Sequence, residues 1–166
     1  MPDLPWLDSY SGETADELLS LEGRYRTDSL VLVFEQALDP KAAREGLQSL
    51  SDEERIVLAV EALEREVNNG GYEQFFFNST REYAPIIVDA LARIGCHRTA
   101  IITQKALEAL RCSPLTPEAI ENTMLEESED RDQALFVCDN QYFARPEDIE
   151  GHLLAFIKAN KNEIRL

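Results

Sequence analysis

The sequence predicts an all-α protein, a single compact domain of about eight to nine helices. Apolar residues recur every three or four positions in most segments, and in one of them these are Ile56, Val60, Leu63 and Val67. Signals that start or stop a helix lie between the segments, such as Thr116 before Pro117 and Gly95 after an apolar stripe. A chain of 166 residues with 44% apolar residues can bury one substantial core, and no linker divides it. We therefore expect one domain over residues 1–166.

The first fifty residues predict an N-terminal extension followed by three helices. Residues 1–12 are rich in proline, aspartate and serine, and Trp6, Leu7 and Tyr10 could hold them against the core. The three helices are expected over 14–24, 29–38 and 39–49. Thr14 should cap the first of them, and the Asp39-Pro40 pair should open the third. The Leu-Val-Leu-Val-Phe run at the start of the second segment also permits a β-strand.

The remainder of the chain predicts a further series of helices. They are expected over 51–67, 72–78, 86–94, 97–111, 118–125 and 133–143, with a last helix opened by Pro146. The short link after residue 94 predicts that its two flanking helices pack as an antiparallel hairpin. Within 133–143 we expect the apolar side chains to face mostly inward, namely Leu135, Phe136, Cys138, Tyr142 and Phe143.

The most distinctive stretch of the chain is 66–78, here called the signature corner. Its characteristic residues are Glu66, Asn68, Asn69, Gly70, Gly71, Tyr72, Gln74, Phe75, Phe76 and Asn78. The two adjacent glycines should end one helix, because glycine reaches left-handed backbone conformations that a Cβ atom disfavours. Three successive phenylalanines cannot share one helical face, so at least one should point towards a second surface. Gln74 and Asn78 could bond the backbone that the break leaves unpaired.

Two interpretations of the signature corner remain open. Glu66, Asn69, Gln74 and Asn78 could line a polar binding pocket, or they could be the hydrogen-bonded lining of a tight corner between helices. We favour the structural interpretation, because no nucleophile or catalytic base accompanies these residues.

The run Val-Asn-Asn-Gly-Gly-Tyr-Glu-Gln-Phe-Phe-Phe-Asn at 67–78, preceded by Leu-Ser-Asp-Glu-Glu-Arg at 50–55, resembles the signature of a small bacterial all-helical family. Its best-understood branch consists of small acidic DNA-mimic proteins, which bind a DNA-binding protein in place of DNA. The resemblance extends from about residue 50 to 94, and more loosely to the C-terminus. It implies an all-helical fold and makes DNA mimicry the expected function.

Net charge is the second functional signal. The chain carries 32 acidic against 16 basic residues, a net charge of −16, and residues 112–150 hold eleven carboxylates against two arginines. Like charges at this density repel and lower stability. This acidic region is the candidate partner-binding surface, and its carboxylates are Glu118, Glu121, Glu126, Glu127, Glu129, Asp130, Asp132, Asp139, Glu147, Asp148 and Glu150.

Such carboxylates could imitate a nucleic-acid backbone, which presents one negative charge per roughly 1.7 Å of duplex axis. The expected partner is a basic DNA-binding protein, either a transcription factor or a nucleoid-type protein. A homodimer would double the charge and could match half-sites about 34–36 Å apart. The alternative is an ordinary acidic cytosolic protein with solvated faces. Charge alone favours that alternative, and the family resemblance brings mimicry slightly ahead.

Other functional classes find little support in the sequence. The net charge disfavours direct binding to nucleic acid or to an anionic membrane, and no apolar run approaches the roughly 20 residues of a membrane span. The N-terminus has no secretory pattern, and Cys96, Cys112 and Cys138 lack metal-like spacing, so we expect free thiols in the cytoplasm. His97 and His152 form no metal motif, and the acidic stretch 126–132 lacks the features of an EF-hand loop. We expect no metal and no cofactor.

Three hypotheses for the function follow. The first is an acidic DNA mimic that regulates transcription by blocking a DNA-binding protein. The second is another kind of interaction module, of immunity or regulatory type, in which exposed aromatics over 72–77 carry the binding. The third is an enzyme at the signature corner, which would need a pocket with perturbed carboxylates such as Glu61, Glu64 and Glu66. We expect that the protein is not an enzyme.

Overall fold

The computed structural model describes residues 3–166, so the first two residues of the predicted extension lie outside the described part. Within that part the chain forms eight α-helices and no β-strand, which confirms the all-α prediction. The helices are α1 Ala15–Leu19, α2 Thr27–Glu45, α3 Asp52–Phe77, α4 Ala84–Arg93, α5 His97–Ala109, α6 Pro117–Leu125, α7 Glu129–Phe143 and α8 Ile149–Ala159. Short 3₁₀ turns lie at Leu47–Ser49, Ser79–Tyr83 and Lys161–Glu163.

The described residues group into two compact units. The first unit comprises 3–61 together with 149–166, and the second comprises 62–148. The signature corner lies in the second unit, and so does all of the acidic region except its last two residues. The prediction of one domain over 1–166 stays a prediction.

In the first unit, the N-terminal extension lies along α2. The backbone N–H of Leu7 donates to Ser29 Oγ at 3.0 Å, and the N–H of Tyr10 donates to Gln36 Oε1 at 2.9 Å. The Arg26 guanidinium sits 5.3 Å from the centre of the Trp6 ring. The expectation that this segment is held against the helices is confirmed for the described residues.

Helix α2 corrects two predictions at once. The strand alternative for 29–38 is wrong, because this apolar run belongs to one 19-residue helix whose buried residues include Leu30, Val33 and Phe34. A helix that is apolar on more than one side is stable when it is buried, and α2 packs against α8. The predicted new helix at Asp39 is also wrong, since α2 continues through Pro40. The burial of the helix before the proline, which includes Ala37 and Leu38, helps to offset the backbone hydrogen bond that Pro40 cannot donate.

Glu54 fixes the beginning of α3 and the C-terminal end of the chain. It forms a capping box with Ser51, whose Oγ accepts from the Glu54 N–H at 3.1 Å while the Ser51 N–H donates to Glu54 Oε2 at 3.2 Å. The other carboxylate oxygen accepts from Lys41 Nζ at 2.9 Å and from the Arg165 N–H at 2.8 Å. This buried carboxylate is therefore fully engaged within the first unit.

In the second unit, α5 packs against both α4 and α7. The packing of α4 on α5 agrees with the predicted hairpin of neighbouring helices. Thr116 caps α6 as expected, its Oγ1 accepting from the Ala119 N–H at 3.2 Å. Helix α7 begins at Glu129, four residues before its predicted start, because Ser128 caps it by accepting from the Arg131 N–H. Helix α8, in the first unit, begins at Ile149 and not directly after Pro146.

Candidate partner-binding surface and signature corner

The two glycines of the signature corner interrupt α3, as predicted. Gly70 has φ −154° and ψ 19°, while Gly71 has φ 77°, in the left-handed region that favours glycine. A Cβ atom on Gly71 would lie 2.5 Å from Asp139 Oδ2, and one on Gly70 would overlap the amide oxygen of Gln74. A side chain at either position would therefore force a neighbouring side chain to shift, and Gly71 needs glycine for its backbone conformation as well.

Glu66 is the centre of the polar part of the corner. Its Oε2 accepts from Gln74 Nε2 at 2.6 Å and from Asn78 Nδ2 at 2.9 Å, and Asn69 Nδ2 donates to Gln74 Oε1 at 3.3 Å. The expectation that Gln74 and Asn78 bond the freed backbone is wrong, because both amides donate to a buried carboxylate instead. These contacts fit the structural interpretation, in which the polar residues satisfy one another.

The backbone freed by the break is bonded by Asp139, which the sequence did not connect with the corner. The Tyr72 N–H donates to Asp139 Oδ1 at 2.8 Å. Burial raises the pKa of the Asp139 carboxyl, the Tyr72 N–H opposes that shift, and the negative charge of Glu73 adds to it. The only sequence signal was indirect: a broken helix leaves N–H groups that need an acceptor.

The aromatic residues of the corner are mostly buried. Tyr72, Phe75 and Phe76 have no exposed surface, and the Tyr72 hydroxyl lies 2.8 Å from Thr103 Oγ1. Phe77 is 57% exposed, which confirms that one phenylalanine of the triplet points elsewhere. The second hypothesis, which needs exposed aromatics over 72–77, is therefore wrong about the rings of Tyr72, Phe75 and Phe76. They pack among themselves and against Tyr142.

The densest part of the acidic region is 126–132, here called the acidic turn, which comprises the link between α6 and α7 and the first residues of α7. Its five carboxylates are all exposed: Glu126, Glu127, Glu129, Asp130 and Asp132. Asp132 pairs with Arg131, whereas the other four make no ion pair or hydrogen bond through their carboxylates with the described residues. Residues 129–132 of this stretch form the first turn of α7, where negative charge interacts favourably with the helix dipole.

A buried arginine holds the acidic turn in place. The Arg131 side chain is 7% exposed, and its Nη1 donates to the carbonyl of Thr123 in the last turn of α6 at 2.9 Å. Its Nη2 lies 3.2 Å from Asp132 Oδ1. A groove of about 220 Å³ borders the turn and is lined by residues that include Arg111, Glu126 and Asp130. The turn is thus a defined structure, although its carboxylates face solvent.

The remaining predicted acidic residues divide into different structural roles. Glu118 and Glu121 are exposed on α6, and Glu121 lies 3.0 Å from Arg81. Glu147 is half-buried and accepts from the backbone N–H groups of Arg98 and Thr99 at the start of α5, at 2.8 and 2.9 Å. Asp148 is exposed, and Glu150 belongs to the first unit, in the first turn of α8.

The prediction that Asp139 and Glu147 belong to the partner-binding surface is therefore corrected, because hydrogen bonds inside the second unit occupy their carboxylate oxygens. A carboxylate engaged in this way is partly screened from an external cation. The exposed set of the second unit comprises Glu118, Glu121, Glu126, Glu127, Glu129, Asp130, Asp132 and Asp148.

Helix α7 also displays aromatic side chains next to the acidic turn. Phe136 is 59% exposed and Phe143 is 49% exposed, so the expectation that both face inward is wrong. The buried face of α7 carries Arg131, Leu135, Cys138 and Tyr142, spaced at helical intervals. The two phenylalanines project from the opposite side, although their apolar character alone had suggested burial.

Metal and membrane features are absent from the part of the chain described by the structure. Residues 3–166 contain no group of three or more histidine, cysteine, aspartate or glutamate side chains arranged to hold a metal ion. Within the same range, no helix combines the length and apolar character that a membrane crossing needs. None of Cys96, Cys112 and Cys138 forms a disulfide bond with a described residue.

The fold and the surface together define an acidic all-helical protein with a dense group of exposed carboxylates on the second unit. Comparison with known families matches residues 48–160 to the DMP19-like protein family. The match covers well over half of the chain, so this chain belongs to the DMP19-like family, a family of DNA-mimic proteins. The resemblance is confirmed at the level of the family. No curated protein matches the chain in a direct comparison.

Proposed function

We propose that this protein is a DNA mimic that binds a basic DNA-binding protein and keeps DNA from its binding face. The observation that carries the proposal is the acidic turn, where Glu126, Glu127, Glu129 and Asp130 are exposed and bond no cation among the described residues. Carboxylates that served the fold would be expected in ion pairs or caps, as Glu54 and Glu147 are.

The electrostatics of the acidic turn support this function. Four neighbouring negative charges repel one another, and the helix dipole at α7 offsets only part of that cost. A basic cleft would neutralise them, and long-range attraction would speed the encounter. Family membership supports the same partner class, a transcription factor or a nucleoid-type protein. The protein acts by binding and without catalysis, in the cytoplasm, and a homodimer would double the net charge of −16 that it presents.

The first experiment is affinity capture from a bacterial lysate on the immobilised protein, with one elution by duplex DNA and one by salt. We expect a DNA-binding protein that duplex DNA releases. That partner is then purified, and its affinity for the captured protein is measured by surface plasmon resonance over a range of salt concentrations. Binding should weaken as the salt concentration rises, because exposed charges are screened.

A charge-matched pair of variants tests the surface. The triple variant Glu126→Gln, Glu127→Gln and Asp130→Asn should bind the partner about tenfold more weakly at low salt. The control Asp8→Asn, Glu45→Gln and Asp89→Asn removes the same charge from exposed sites outside the acidic region. Equal weakening by both variants would reject the acidic turn as the binding surface, and a partner that duplex DNA fails to displace would reject mimicry.

A further inference from the structure

We propose that the exposed face of α7 binds a basic amphipathic helix of the partner, so that apolar contact as well as charge selects that partner. The inference rests on the proposed function and names the chemistry of the surface that the mimic recognises. The residues that carry it are Phe136, Val137 and Phe143, which lie just beyond the acidic turn.

Helix geometry places these side chains together. Phe136, Asn140 and Phe143 follow one another at intervals of four and three residues, so they share the solvent face of α7, and Val137 borders it. Glu129 and Asp132 lie on the same face, one or two turns nearer the N-terminus. The helix rises about 1.5 Å per residue, so this face is about 20 Å long, acidic at one end and aromatic at the other.

The aromatic end of α7 is far more exposed than a core position, although the Phe143 ring also lies edge-on against the buried Tyr142, with the ring centres 6.2 Å apart. Phe136, Val137 and Phe143 are 59%, 48% and 49% exposed, whereas large apolar residues that serve the core of the unit are buried. Leu125, at the end of α6 beside the acidic turn, is 70% exposed. Among residues 3–166, four of the eight exposed large apolar residues thus fall within the acidic region 112–150. Exposed aromatic residues are enriched in protein interfaces relative to the rest of the surface.

Charge indicates which occupant fits this face. Every charged residue on the solvent face of α7 is acidic, so the matching surface must carry lysine or arginine next to apolar side chains. A helix with apolar residues at i, i+3 or i+4, and i+7 and basic residues on its flanks has that pattern and matches the length of α7. A second copy of this chain would bring the same acidic turn and no complementary charge.

This arrangement would give the mimic a selectivity that charge alone lacks. Many DNA-binding proteins present a basic surface, and attraction to carboxylates distinguishes poorly among them. Apolar side chains that must fit against Phe136 and Phe143 add a contribution to affinity that salt screens little. Binding should therefore retain a component that persists at high salt.

The test uses two fluorescent peptides of identical composition, one with leucine and lysine arranged as an amphipathic helix and one with the same residues scrambled. Affinity is measured by fluorescence anisotropy against the full-length protein at low and high salt. We expect tighter binding of the amphipathic peptide, with a difference of about tenfold that persists at high salt.

Two variants separate the face of α7 from exposed phenylalanine in general. The double variant Phe136→Ser with Phe143→Ser should remove the preference for the amphipathic peptide. It should also lower the affinity for the captured regulatory protein by about tenfold. Phe77→Ser, at an equally exposed ring on α3, should leave both unchanged. Replacing Phe143 also removes its ring contact with Tyr142, so circular dichroism must first show that every variant is folded at the temperature of the binding measurement.

The possible failures are distinguishable. If both peptides bind equally and the α7 variant behaves like the protein with its native phenylalanines, the apolar contact is absent and this inference falls, while mimicry by the acidic turn stands. If duplex DNA fails to displace the captured partner, the proposed function itself falls. If sedimentation shows that Phe136→Ser with Phe143→Ser dissociates a dimer, the face joins two copies of this chain and the inference is wrong.

Discussion

The signature corner and the acidic turn both contain carboxylates, but these are buried and hydrogen-bonded at the corner and exposed at the turn. At the corner, Glu66 is buried and accepts two amide hydrogen bonds. At the acidic turn, Glu126 and Glu127 are exposed and have no bonded partner among the described residues. The most specific part of the sequence therefore maintains the fold, while the less specific part provides the exposed carboxylates of the proposed binding surface.

Changes at the corner should accordingly cost stability and leave partner affinity intact, whereas changes at the acidic turn should do the reverse. Four predictions test this contrast on unfolding free energies, measured by urea denaturation with circular dichroism.

The largest effect is expected for Gly71→Ala. Its φ of 77° disfavours alanine, and the added Cβ would lie 2.5 Å from Asp139 Oδ2, so we expect a loss of about 3 kcal/mol or more. Gly23→Ala is the matched control, because Gly23 has φ 78° and nothing within 4 Å of the added atom, and it should lose only about 1 kcal/mol. Equal losses would show that the contact with Asp139 contributes nothing.

Glu66→Ala should have the next largest effect. It leaves the amide donors of Gln74 and Asn78 without their acceptor, and we expect a loss of about 2 kcal/mol. Glu66→Gln keeps an oxygen that can accept from one of them and should lose less. Partner affinity, measured under conditions in which both variants are folded, should stay unchanged. A loss of affinity would show that the signature corner contributes to partner binding.

Asp139→Asn tests the contact between the corner and α7 through its pH dependence. Because burial raises the folded-state pKa of Asp139 above the ordinary value, its charged form lowers stability above that folded-state pKa. The penalty disappears as the pH falls towards the ordinary aspartate pKa, so the native protein should gain stability relative to the variant over that interval. Denaturation of both proteins from pH 7 to pH 4 measures the difference, and a constant difference would contradict the burial effect.

The smallest change in stability is expected for the triple variant at 126, 127 and 130. Surface substitutions of this kind usually alter stability within about 0.5 kcal/mol each, and removing mutual repulsion should make the net change neutral or favourable. The same variant should show the largest loss of partner affinity. A marked loss of stability would mean that these carboxylates serve the fold, and the contrast between the two regions would fail.

The sequence by itself determined the fold class, most helix limits and the break at Gly70–Gly71. These features depend on local rules: the helical spacing of apolar residues, capping residues and the conformational freedom of glycine. The capping box of Ser51 and Glu54 and the cap at Thr116 were predictable for the same reason, since their partners lie three residues away.

The tertiary structure decided everything that depends on residues distant in sequence. Asp139 accepts the N–H of Tyr72, and Glu147 caps the start of α5, because packing brings together residues that lie 67 and 48 or 49 positions apart. Packing also decided that α2 continues through Pro40 and that Phe136 and Phe143 face solvent. Composition gives the charge and apolar character of each side chain, but only the packed helices determine which of them remain exposed to a partner.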